Sequence, residues 1–76
     1  MTRIDAIKNV LSSQEFLDVM KEMKDTQLQI IQYSGDEELQ LREYAYQRIR
    51  SINEIMSNLE SIAQTGKIKD KAWKIL

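Results

Sequence analysis

Residues 45–63, AYQRIRSINEIMSNLESIA, decide the fold. Ala45, Ile49, Ile52, Met56, Leu59 and Ala63 recur at alternating steps of four and three, a heptad seam of about three repeats. A second row, Leu41, Ile55 and Ile62, runs beside it and is broken by Arg48. One apolar stripe satisfies one neighbouring helix, whereas two adjacent stripes need more than one neighbour. The seam therefore predicts a long helix, from about residue 36 to 65, and implies company for it.

Working outward, two glycines and a few Ser/Thr caps divide the rest of the chain. YSGDEE, residues 33–38, stops the preceding helix. Gly35 suits a left-handed helix-end position, and Asp36, Glu37 and Glu38 suit the positive end of the next helix dipole. The triplet reads as a dipole complement rather than a metal site. Upstream, Phe16, Leu17, Val19, Met20, Met23, Leu28, Ile30 and Ile31 mark a helix over about 13–33. Its apolar face is interrupted by Lys24 and Gln27, which divides the expected burial into two patches. Before it, Thr2 lies three residues ahead of Asp5, and Ile4, Ile7 and Leu11 follow at helical spacing, giving a short capped helix over 3–11. Ser12, three before Glu15, reads as a capping box that restarts the chain at a new angle.

The expected fold class is therefore all-α. An antiparallel helical hairpin (about 13–33 and 36–65) carries a short N-terminal helix and a short C-terminal basic and aromatic segment in one domain, 1–76. At about 1.5 Å per residue the third helix is roughly 45 Å long and the second nearer 30 Å. The mismatch leaves the half of the third helix that holds Ile55 and Ile62 under-covered by the second. Met56, Leu59, Ile55 and Ile62 are accordingly the candidate self-association residues, in the manner of a coiled coil. The first helix, or the segment after Gly66, could also fold over part of this face.

Composition narrows the chemistry. There are 76 residues, 42% apolar and 30% charged, with no Cys, no His and no Pro. A domain this small usually needs a staple, and without Cys or His neither a disulfide nor an ordinary zinc site is available. Good helix packing or oligomerisation is left. No nucleophile–base pair, Gly-rich phosphate loop or Glu-x-x-His metal pair can be assembled, so the reading is a non-enzymatic protein without cofactor or small-molecule substrate. MTRIDAIKNVL lacks a secretory apolar core, and no apolar run approaches a membrane span, which points to the cytoplasm.

Charge is uneven along the chain. Residues 1–65 hold seven basic and eleven acidic side chains, and residues 66–76 hold four basic and one acidic. Arg42, Arg48 and Arg50, near Tyr44 and Tyr46, are candidate nucleic-acid contacts, although Glu43, Glu54 and Glu60 share the helix. A dedicated binder concentrates its basic groups on one face, so nucleic acid is not the favoured partner. In the final segment Lys67, Lys69, Lys71 and Lys74 surround Trp73, Ile75 and Leu76 as a candidate partner-binding anchor. Alternatively, Trp73 plugs the open end of the hairpin.

Residues 44–76, YAYQRIRSINEIMSNLESIAQTGKIKDKAWKIL, resemble the C-terminal half of small helical proteins encoded by tailed bacteriophages and prophages. The shared features are the Tyr–Arg–Ile–Arg start, the Ile/Leu heptads, the Thr–Gly break and the basic Trp–Lys–Ile–Leu end. The resemblance implies an accessory role, as a virion or assembly component or as a small inhibitor of a host system, in the host cytoplasm or the virion. Protein partners, including the chain itself, are expected. A nucleic-acid-associated oligomer and an inhibitor of a host defence protein are the alternatives.

Overall fold

A computed structural model describes residues 2–67, and these form three helices without a strand among them: α1 (Arg3–Leu11), α2 (Gln14–Tyr33) and α3 (Leu39–Thr65). The all-α class and the α2–α3 hairpin are as the sequence indicates. The candidate anchor residues Lys69, Lys71, Trp73, Lys74, Ile75 and Leu76 lie outside the described residues.

Each boundary has a local cause. Thr2 Oγ1 accepts from the Asp5 N–H at 3.1 Å and starts α1, as its spacing indicated. The break between α1 and α2 is also present, but the cap is Ser13 rather than Ser12. Ser13 Oγ accepts from the Phe16 N–H at 3.3 Å, while Ser12 closes α1 and its hydroxyl donates back to the Lys8 carbonyl at 2.8 Å. Two adjacent serines thus end one helix and begin the next, and the Ser13 cap satisfies an N–H that the break leaves without a helical partner.

The α2–α3 turn departs from expectation. Positive φ occurs at Gly66 and not at Gly35, and α3 begins at Leu39 rather than near residue 36. The reason lies in Glu38. Its carboxylate accepts from the Gly35 N–H at 2.9 Å, and its own N–H donates to the Gly35 carbonyl at 3.0 Å. These bonds close a turn over residues 35–38 and hold Glu38 ahead of the helix, so no acid lies in the first turn of α3. Arg42 Nη1 then donates to the Gly35 carbonyl at 2.6 Å and to Ser34 Oγ at 3.2 Å, tying the turn to α3.

Helix α3 is the hub. It packs against both α2 and α1, which touch each other little. The Cα trace spans 50 × 28 × 11 Å. Two stacked helix layers would need roughly 13–15 Å, from axes 8–10 Å apart and Cα cylinders of 2.3 Å radius. The helices therefore lie side by side in a single layer. Its radius of gyration is 15.0 Å, against roughly 11 Å for a compact chain of this length.

A single layer buries little. Among the described apolar residues only Ala45, Ile52, Ile62 and Ala63 are buried, all of them on α3. Ala45 has no exposure, which a methyl group reaches only where a neighbouring helix lies close over it. The seam is thus the core, as its periodicity required. Ile62 corrects an expectation: it was assigned to the under-covered stripe and is buried within the single chain. One turn beyond it, the Ile4 side chain of α1 lies where a Cβ on Gly66 would project, 3.4 Å away. Helix α1 packs on α3 and its Ile4 reaches this end beside Gly66.

The two glycines should respond differently to alanine. Gly66 has φ 78° and closes α3 through its N–H to the Ile62 carbonyl at 2.8 Å, so Gly66→Ala should destabilise by about 1–2 kcal/mol. Gly35 lacks positive φ and is exposed, so Gly35→Ala should stay within about 0.5 kcal/mol. Urea melts at one chain concentration test the pair, and equal effects would contradict the assignment of Gly66 as the left-handed cap.

Candidate interaction surface

An open groove of about 580 Å³ lies between α2 and α3. Met23, Thr26 and Gln27 form its α2 wall. Tyr44, Arg48, Ser51 and Ile55 form the α3 wall, with the buried Ile52 as floor. A second, smaller hollow shares Thr26 and continues toward the turn past Ile30, Leu41 and Glu38. The two hollows adjoin at Thr26.

Helical spacing explains the groove. Leu41, Tyr44, Arg48, Ser51 and Ile55 fall at steps of three and four, one face of α3 beside the seam. Met23 and Thr26, with Val19 before them, form the matching flank of α2. Val19, Met23, Leu41, Tyr44 and Ile55 all remain substantially exposed, between 39% and 50%. Scattered apolar residues on a surface are ordinary, but Met23, Tyr44 and Ile55 gather along one groove, with Arg48 and Ser51 between the last two, which makes it the candidate binding surface. Further along α3 the row reaches Ile62, at the end where α1 packs.

Polar groups bridge the same two helices. Arg48 Nη1 donates to Gln27 Oε1 at 3.2 Å, and Lys24 Nζ lies 3.4 Å from Asn53 Oδ1, a long contact. Lys24 and Gln27, which interrupt the apolar face of α2 in the sequence, are thus the side chains through which α2 reaches α3. Asn58 is the buried polar residue of α3. Its Nδ2 donates to the Glu54 carbonyl at 2.9 Å, one turn back, so burial leaves that donor satisfied.

The sequence-derived candidates separate on this framework. Ile55 is exposed in the groove, and Met56 and Leu59 are half-buried on the seam. Ile62 is covered. Arg42, Arg48 and Arg50 do not converge: Arg42 holds the turn, Arg48 reaches across to Gln27, and Arg50 is exposed beside Glu54 outside the groove. Lys67 is exposed, while its carbonyl accepts from Ser61 Oγ at 2.9 Å. The acidic triplet is a turn element, with the Glu38 carboxylate bound to Gly35, and among the described residues no cluster of potential ligands is placed to hold a metal ion. Nor is any described helix long and apolar enough to cross a membrane. The α2 wall escaped the sequence reading. Thr26 and Gln27 carry no apolar signal, and only the α2–α3 register sets them opposite Tyr44 and Arg48.

Comparison of the chain with protein-family models, curated proteins and solved structures returned no match.

The groove floor doubles as the core, so its truncation should be felt in folding. Ile52 is 5% exposed, and Ile52→Ala should cost about 2–5 kcal/mol at fixed chain concentration. A urea midpoint close to wild type would show that the seam is not what holds α2 on α3.

Proposed function

We propose that this protein is a non-enzymatic helical interaction module that works through the α2–α3 groove and binds first to a second copy of itself. The supporting observation is the exposed apolar side chains along one groove of a single-layer fold: Met23, Tyr44 and Ile55 remain between 42% and 48% exposed there, a surface for a partner to cover.

Nucleic acid draws less support, because two of the three candidate arginines are engaged within the chain. A phage-type accessory role, as the resemblance of residues 44–76 implies, is the setting we propose for such a module. A hairpin with apolar side chains along one groove suits such a role.

Ile55→Lys tests the reading without touching the buried core, since Ile55 is 42% exposed in the single chain. A lysine there would bring charge into an apolar contact, where desolvation is costly unless the charge is paired. Light scattering should show the wild type above single-chain mass at high micromolar concentration and the variant shifted toward it. Far-UV circular dichroism should remain helical, unless the single chain is too weak to fold alone. Wild type at single-chain mass throughout that range would sink the proposal.

A further inference from the structure

We infer that α1 is a releasable strap over the C-terminal end of α3, and that its opening uncovers Ile62 without parting α2 from α3. This holds for the single chain, whether or not a second copy binds. Along one row of α3, Tyr44 and Ile55 are 48% and 42% exposed, although α2 forms the opposite wall of their groove. Ile62 continues that row two turns past Ile55 and is only 7% exposed. Helix α2 therefore does not close this row by itself. Among the described elements α1 is the other one that packs on α3, and its Ile4 reaches Gly66, one turn past Ile62. The cover over Ile62 is accordingly assigned to α1.

Helix α1 is weakly held. It has nine residues and none of them is buried. Ile4, Ala6, Ile7 and Leu11 are half-buried, which marks the side that rests on a neighbour. A helix this short is marginal in water and lasts only while that side is docked. It touches α2 little. Helix α2, by contrast, is bridged to α3 through Gln27 and Arg48 and through Lys24 and Asn53, and joined to it by the turn that Arg42 clasps.

The joint between α1 and α2 suits release. Ser12 ends α1, and Ser13 caps α2 on its own by accepting from the Phe16 N–H. Helix α2 thus keeps its capped first turn when α1 leaves, and the chain bends where the helical ladder is already interrupted. Asn58 lies between Ile55 and Ile62 on the same row and is 7% exposed. A buried amide regains water when its cover lifts, which lowers the cost of opening at this end. Segments with little fully buried surface open at lower cost than the whole fold. Release of α1 lengthens the uncovered row of α3 from Ile55 to Ile62.

Hydrogen exchange of the unaltered protein, read by mass spectrometry at one chain concentration over a series of low urea concentrations, tests the strap. Amides of residues 7–11 should exchange about tenfold or more faster than those of residues 49–55, with a shallower dependence on urea. Exchange of both segments at one rate and with one urea dependence would make the fold a single cooperative unit and overturn the inference. For a second readout, Ile62→Cys supplies a single thiol, since the chain has no Cys. Adding Ile4→Ser should speed labelling of that thiol about fivefold while leaving exchange at residues 49–55 within about twofold. Labelling that Ile4→Ser does not change would show that α1 is not the cover over Ile62, and equal acceleration at both places would show that α1 does not open separately; either result would overturn the strap.

Discussion

Helix α3 has 27 residues and α2 has 20, and beside its seam α3 carries a second row, Leu41, Ile55 and Ile62, broken by Arg48. A shorter helix can cover one stripe of a longer one; it cannot cover two. That mismatch governs the rest of the molecule. It leaves α1 to dock on the C-terminal end of α3, where Ile4 meets Gly66, and it leaves the groove past Tyr44 and Ile55 without a neighbour. A nine-residue helix is marginal by itself, so α1 owes its persistence to this docking. Stability and binding draw on the same surface: Ile52 is at once the best-buried large apolar side chain of the core and the floor of the groove.

The small core has consequences for behaviour. Folded domains hold only a modest margin, and a single layer with four buried apolar residues among those described has a small core. Covering the groove with a partner adds stability by mass action and makes the measured melting point depend on concentration. The local devices along the chain limit how much the partner must contribute. Caps at Thr2 and Ser13, the Glu38–Gly35 turn, and the Arg42 clasp fix the helix ends with hydrogen bonds that need no core. The fold is thus ordered locally at its corners and thinly along its middle.

Much of this was legible in the sequence, because helical periodicity and caps act over a few residues. The seam, the hairpin, α1 with its Thr2 cap and the exposure of Ile55 all follow from spacing. The failures arise where distant segments decide. Gly35 has the composition of a left-handed cap, yet Glu38 and Arg42 claim its backbone groups and keep it out of that region. Ile62 belongs by spacing to the exposed row, yet tertiary packing, which spacing does not report, buries it within the chain. The α2 wall of the groove was invisible, since Thr26 and Gln27 acquire their place from the register between helices. Lys24 and Gln27 looked like interruptions of an apolar face and are its polar bridges to α3.

The account stands or falls on whether the groove is covered in solution. Tyr44 lines it and Tyr46 does not, yet in the single chain the two are nearly equally exposed, at 48% and 55%. Their reactivity toward a tyrosine-modifying reagent, read by mass spectrometry across a dilution series, therefore reports coverage directly. The account predicts that Tyr44 is protected relative to Tyr46 at high concentration and that the two converge on dilution. Equal reactivity of Tyr44 and Tyr46 at every concentration would contradict it.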